Sequence, residues 1–299
     1  MKIGLMMPLG ERENERGPLP YSALREMALR AEADGLDSVW VADHLLFRGD
    51  GRTTGIHEAW TMLTAFAAVT SRVALGTLVL ALPFRNPGVT AKMAAALDEV
   101  SGGRLILGIG CGWHEPEFDA FDLPFDHRVA RFEEAAEILK RLLRDGRADF
   151  EGRYHAARSL ELRPPAAPGR PPILIAGKQP RMLRMVARHA DAWNAAWYGT
   201  LDQADELRER LDRLGKALAA EGRDPTTLEI TLGVNVAFPD LAGDEEIPTK
   251  VIAGSIEEVA DGLRGYEAIN ASHLIVSLTP STTEAVASLA RAAQLARTS

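Results

Sequence analysis

The feature that most restricts what this chain can become is its regular alternation of short apolar runs with amphipathic segments of helical period. Ile3–Pro8, Asp37–Ala42, Val73–Leu82, Arg104–Ile109, Ile173–Ala176, Asp191–Ala196, Leu228–Phe238 and His273–Leu278 read as strands buried on both faces. Between them lie helical patterns. Tyr21–Ala33 places Leu24, Met27, Ala28 and Ala31 on one face and is closed by Gly35. Glu58–Thr70 places Trp60, Leu63, Ala67 and Ala68 together, and Val89–Val100 is stopped by Ser101-Gly102-Gly103. Val129–Arg144 sets Phe132, Ala136, Leu139 and Leu143 opposite Glu133, Glu134, Lys140 and Arg141. Pro180–His189, Asp205–Glu221, Ile256–Ala268 and Thr283–Leu295 complete the series. Roughly eight strand–helix units in one chain predict a single (β/α)8 TIM barrel over residues 1–299. An open, doubly wound sheet is the alternative that the same pattern allows.

Insertions punctuate the alternation. Gly10–Pro18 reads as a charged, mobile loop, and the stretch after Asp43-His44 as a loop carrying Gly49, Gly51 and Gly55. Phe150–Leu162 reads as a short hairpin, Pro164–Pro172 as a proline-rich connector and Pro239–Pro248 as an acidic insertion. In a barrel, the loops after the strands share one face. Asp43-His44, Leu78-Val79, Gly110–Glu117, Gly177-Lys178 and Trp197-Tyr198 would then be neighbours despite their separation in sequence.

The densest of these corners is Arg104–Phe118, R-L-I-L-G-I-G-C-G-W-H-E-P-E-F. Gly108, Gly110 and Gly112 strip side chains from the end of a strand, which lets a ligand touch bare backbone N–H groups or simply allows a tight turn. Trp113, His114, Glu115 and Glu117 follow at once. The pattern is not a dinucleotide fingerprint, because Trp113 stands where a third glycine is needed and Pro116 where a helix should open. A second such corner, Ala176-Gly177-Lys178-Gln179, ends a strand just before Pro180 at a helix start. Free N–H groups there, with Lys178 and Arg181 nearby, suit a phosphate.

The titratable candidates are His44, whose imidazole is the type of group that donates or accepts a proton near neutrality, and Asp43 beside it, able to orient it or meet a cofactor. Glu58 and Glu117 are the carboxylates nearest the same face. His44, His57, His114 and His127 show no H-x-H or H-E-x-x-H spacing, so no metal is expected, and no G-x-S-x-G elbow points to a serine hydrolase. A net charge of -8 argues against nucleic acid or an anionic membrane as partner. One cysteine, Cys111, excludes an internal disulfide framework and fits a reducing compartment. No apolar run approaches a membrane span, and Met1–Pro8 is too short for a signal sequence, so a soluble cytoplasmic protein is expected.

Read in order, these residues resemble the luciferase-like monooxygenase superfamily, and within it the branch of deazaflavin (coenzyme F420)-dependent oxidoreductases. The likeness runs through Gly35–His44, Val73–Val79, Arg85-Asn86-Pro87, Asp98–Arg104, Leu107–Trp113 with Glu117-Phe118, Pro171–Gly177 and Ala190–Asn194. It implies a bacterial-luciferase-like barrel with insertions in its C-terminal-face loops and a flavin or deazaflavin across the mouth. It implies a non-prolyl cis peptide at Leu78-Val79 behind the ring, and Asp43 and His44 near the ring's reactive face. Gly110, Cys111, Gly112 and Trp113, with Ala176, Gly177, Lys178 and Gln179, would line the ribityl chain and phosphate. Arg48 and Trp113 stand where sugar-phosphate dehydrogenases of this branch carry a tryptophan and a catalytic glutamate, a departure that argues against that reaction and leaves the implied cofactor standing.

The implied activity is F420-dependent hydride transfer to or from a small organic substrate, with reduced-FMN monooxygenation as the alternative and a non-catalytic flavin-binding homologue as the second. Catalytic roles fall on His44, Asp43, Trp113 and Glu117, and Trp113, Trp197 and Tyr198 are expected to wall the substrate pocket. Glu58–Thr70 is a candidate face for a homodimer.

Overall fold

The computed structural model describes residues 1–11, 17–49 and 51–298, so most of the charged Gly10–Pro18 loop lies outside the described residues. Eight parallel strands pair in succession: β1 (Lys2–Met6), β2 (Ser38–Val41), β3 (Ala74–Thr77), β4 (Leu105–Gly110), β5 (Ile173–Ala176), β6 (Ala192–Tyr198), β7 (Glu229–Ala237) and β8 (His273–Thr279). β8 returns to β1 with Lys2 opposite His273 and Leu5 opposite Val276, so the sheet is closed. The doubly wound alternative fails here, because an open sheet keeps two edges and this one has none.

Helices α1 (Tyr21–Ala33), α2 (Ala59–Val69), α3 (Pro87–Val100), α4 (Arg128–Asp145), α5 (Pro180–His189), α6 (Asp205–Ala220), α7 (Ile256–Arg264) and α8 (Thr283–Thr298) surround the barrel. Their ends follow local chemistry. Asn86 caps α3 by accepting from the Gly88 and Val89 N–H groups, with Pro87 in the first turn. Ser255 and Glu258 form a reciprocal capping box on α7. Arg104 closes the far end of α2: its guanidinium donates to the Ala67, Thr70, Val73 and Ser101 carbonyls and to the Thr70 hydroxyl. The outer core between barrel and helices contains Leu5, Val39, Leu75, Leu107, Ile175, Leu232 and Val276, all under 1% exposed.

A second, smaller core fills the barrel itself and becomes the floor of the mouth. Trp40, Leu78, Leu174, Ala192 and Ile275 pack there with Met6, Val79 and Ile106. Trp40 fits because its neighbours on β1 and β3 are glycines. A Cβ on Gly76 would overlap the indole, and one on Gly4 would come within 2.8 Å of its Nε1. The indole Nε1 donates to Ser38 Oγ at 2.7 Å, and Ser38 Oγ lies 2.7 Å from His273 Nε2.

The structure departs from the sequence reading at several corners. The loop after His44 is a small antiparallel hairpin, with Phe47–Gly49 paired to Arg52–Thr54. Val73–Leu82 is not one strand. β3 stops at Thr77, Leu78-Val79 is a cis peptide as the family likeness implied, and Leu80-Ala81 re-pairs with Ile109-Gly110 of β4. A one-turn-plus helix, Glu115–Ala120, does open after β4, with Pro116 in its first turn where a missing N–H is harmless. β6 runs two residues past Ala196, through a second non-prolyl cis peptide at Ala196-Trp197. Ala68 is exposed; Met62 and Phe66 take the buried side of α2. The hairpin expected over Phe150–Leu162 is present but begins three residues earlier, as Arg147–Glu151 paired with Ala156–Glu161.

Candidate active site

The C-terminal end of β2 delivers Asp43 and His44 to the mouth, and the two side chains have different fates. Asp43 is 3% exposed and both of its oxygens are taken. Oδ2 accepts from the Ala81 N–H at 2.8 Å and from Arg85 at 2.6 Å, and Oδ1 accepts from the other Arg85 nitrogen at 3.0 Å. Burial pushes this carboxyl above its ordinary range, while the two-pronged guanidinium and the Ala81 N–H oppose the push. Glu58 is also engaged, accepting from Arg85 at 2.9 Å and from the N–H groups of Trp60 and Thr61 at the start of α2.

His44 is oriented by a residue far away in sequence. Its Nδ1 lies 3.0 Å from Glu117 Oε1, and Glu117 Oε2 accepts from the Leu45 N–H at 2.8 Å. Glu117 is 1% exposed, buried by the short helix that Pro116 opens. A carboxylate accepting at Nδ1 selects the tautomer that leaves Nε2 as the working nitrogen. Among the described residues Nε2 has no hydrogen-bond partner. Trp113 stands edge-on to the imidazole with ring centres 5.6 Å apart, and Phe47 of the hairpin lies 4.4 Å from it. His114 packs between Trp113 and Phe47 and accepts the Arg48 N–H through Nε2 at 2.9 Å. Trp113 is 64% exposed, so it is a wall of the mouth and not part of the core.

The glycines of the β4 corner serve packing first. A Cβ on Gly110 would come within 2.6 Å of Val79 Cγ2, and one on Gly112, at φ +70°, within 2.6 Å of the Phe118 ring. They make room for the Val79 and Phe118 side chains. The backbone beyond them is nonetheless available. No hydrogen bond within the described residues takes up the N–H of Gly112 or Trp113 in the β4 corner, or of Lys178 or Gln179 in the β5 corner. Lys178 is exposed, whereas Arg181 is committed to an ion pair with Glu133.

Arg128, at the start of α4, was not singled out from the sequence. Its Nε is buried with no hydrogen-bond partner, its guanidinium lies 4.4 Å from the Phe125 ring centre, and among the described residues no carboxylate pairs with it. It also faces Cys111, whose thiol is pushed up by burial despite the Arg128 charge. A half-buried guanidinium with no carboxylate partner among the described residues, beside the end of β4, fits an anionic ligand. In sequence it is one arginine at the head of a charged helix, indistinguishable from Arg131 or Arg141.

Trp197, on β6, packs its ring against Gly233 of β7, where a Cβ would fall 2.7 Å from it, and it is 38% exposed. Tyr198 does not join it as a wall. It is buried, and its hydroxyl accepts from Arg210 of α6. Among the described residues no group of three or more His, Cys, Asp or Glu side chains is placed to hold a metal ion, and no helix is long and apolar enough to cross a membrane.

A closed parallel barrel whose imidazole, aromatic walls and unpaired N–H groups all gather at the C-terminal mouth has the architecture of TIM-barrel enzymes. The chain belongs to the luciferase-like monooxygenase family, whose model matches residues 1–246. It is 31% identical over 242 residues to pyrimidine monooxygenase RutA of Methylorubrum extorquens, covering 75% of this chain and 64% of that protein. It is 34% identical over 224 residues to an F420-dependent glucose-6-phosphate dehydrogenase of Kineococcus radiotolerans, covering 73% and 64%. The chain thus spans a little under two thirds of the length of these curated relatives. In three dimensions it is similar to an F420-dependent secondary alcohol dehydrogenase, with a TM-score of 0.80 at 19% identity over 99% of both chains, a likeness of fold.

Proposed function

We propose that the mouth binds a flavin-type cofactor, coenzyme F420 in the first instance, and that the protein is an oxidoreductase moving a hydride between that ring and a small organic substrate. The observation that carries this reading is the His44–Glu117 pair, which holds one imidazole nitrogen fixed and leaves the other open at a mouth walled by Trp113 and Phe47. The residues fit the cofactor: the orphaned Arg128 Nε and the free N–H groups of Gly112, Trp113, Lys178 and Gln179 suit its phosphate and ribityl chain. When bound, the ring supplies the hydride chemistry. His44 gives or takes the accompanying proton at Nε2, and Glu117 holds the Nδ1 proton and the ring plane. Trp113, Phe47 and Trp197 flank the substrate and exclude water. The F420-dependent relative supports the deazaflavin.

Reduced-FMN monooxygenation is the second reading, favoured by the monooxygenase relatives. Steady-state assays with each reduced and oxidised cofactor separate the two. Substrate-dependent oxidation or reduction of F420 without oxygen uptake supports hydride transfer. Oxygen uptake with reduced FMN, and no reaction of F420, supports the second. Binding of a cofactor with no turnover across a broad substrate panel would contradict both.

A further inference from the structure

Arg85 joins four structural corners. Its guanidinium grips both oxygens of Asp43 at the end of β2, and one of its nitrogens also reaches Glu58 at the start of α2. Its own backbone immediately precedes Asn86, the cap of α3. Asp43, thus held, accepts the Ala81 N–H and so ties down the segment that follows β3, in which Leu78 and Val79 line the barrel interior. One residue before Arg85, Phe84 packs edge-on against Phe118 with ring centres 4.8 Å apart. Phe118 adjoins Glu117, the partner of His44. A closed circuit therefore runs from Asp43 through Arg85, Phe84, Phe118 and Glu117 to His44, the residue next to Asp43.

We propose that Arg85 is a positioning residue, and that Asp43 serves Arg85 instead of the reacting atoms. The pair fixes the height of Leu78–Ala81 on one side of the mouth and the alignment of Glu117 with His44 on the other. A buried, two-pronged carboxylate–guanidinium pair sets orientation as well as distance, which a lysine ammonium cannot reproduce. The inference rests on the cofactor reading above.

The test uses the intact protein with F420 or FMN as the probe, comparing wild type with Arg85→Lys and Asp43→Asn by thermal melting, by the absorption change of the bound ring and by kcat and KM. The expected result is a folded Arg85→Lys protein with a diminished ring signature and kcat lowered about 10²-fold, as misplacement of about an ångström produces, while KM moves much less. Asp43→Asn should follow it in both readouts. A folded Arg85→Lys protein with unaltered signature and kcat would overturn the proposal, and so would loss of kcat in Asp43→Asn alone, which would make Asp43 catalytic. Glu58→Gln leaves the buried pair, takes the charge from its outer brace and keeps an amide oxygen that can still accept at the start of α2. It should lower kcat several-fold even if the lysine variant does not fold, and no change there would also overturn the proposal. A wild-type protein that perturbs neither ring overturns the cofactor reading itself, before any variant is compared.

Discussion

His44 Nδ1 and Glu117 Oε1 stand 3.0 Å apart although 73 positions separate them in the chain. The barrel alone accounts for the meeting, since the corners after β2 and β4 open on one rim with only β3 between them. With Glu117 buried and its second oxygen fixed by the Leu45 N–H, the imidazole has little freedom of tautomer or tilt.

Removing His44 should therefore cost chemistry and spare binding. His44→Asn is expected to lower kcat by about 10²- to 10⁴-fold, the usual worth of a positioned acid or base, with cofactor affinity changed only a few-fold. Glu117→Gln should produce a smaller loss, because the amide oxygen can still accept from Nδ1 but no longer stabilises a charged ring. Equal losses of kcat and cofactor affinity in His44→Asn would assign it to binding.

Arg128 makes a separable prediction. Charge-assisted hydrogen bonds contribute about 1.5–3 kcal/mol, so Arg128→Ala should weaken FMN or F420 binding roughly 10- to 100-fold. Riboflavin, which lacks the phosphate, should bind the variant and the wild type alike. Calorimetric titration with FMN and riboflavin in parallel checks this, and an equal loss for both ligands would place Arg128 elsewhere.

His273 governs an acid-side prediction for stability. Burial, reinforced by the nearby Lys2 and N-terminal charges, lowers its pKa to about 3, against about 6.5 in an unfolded chain. Between those values the unfolded state carries one more proton than the folded state. Stability should rise with pH across that window and fall on acidification below about 6.5, by up to about 1.4 kcal/mol per pH unit. Urea midpoints at pH 7 and pH 5 measure this, and His273→Gln should flatten the difference.

Arg104 ties together the opposite end of the barrel with five hydrogen bonds to Ala67, Thr70, Val73 and Ser101. Arg104→Met should lower unfolding free energy by about 2–4 kcal/mol and leave turnover of the folded protein unchanged. A loss below about 0.5 kcal/mol would show that water replaces those bonds without penalty.

How much of this was legible in the sequence depends on which forces act locally. Helix α1 and helix α5 were readable to the residue, because apolar spacing and a stop or start signal such as Gly35 or Pro180 are written in consecutive positions. The barrel followed from the alternation of elements. His44, Glu117 and Trp113 were named as candidates from their corners, but their mutual geometry depends on which strands are neighbours. The hairpin at Phe47 was hidden because its residues, F-R-G and R-T-T, carry no strand alternation and pair only where Phe47 finds His44 and His114 to pack on. Gly110 and Gly112 were read as bare backbone at a strand end, and the side chains they admit, Val79 and Phe118, were not legible because tertiary packing sets them. Arg85 was read only as part of the Arg85-Asn86-Pro87 block and Arg128 not at all, for the same reason: what distinguishes one arginine from another is the charge it meets, or fails to meet, across the fold.

The central claim is most directly tested by a crystal structure of the protein with F420 or FMN bound. The account predicts the ring lying across the C-terminal mouth above Leu78 and Val79, with one face within reach of His44 Nε2 and the phosphate on Arg128 and the N–H groups of Lys178 and Gln179. A ring bound at the opposite end of the barrel, or at the mouth with its phosphate turned away from both β4 and β5 corners, would contradict it.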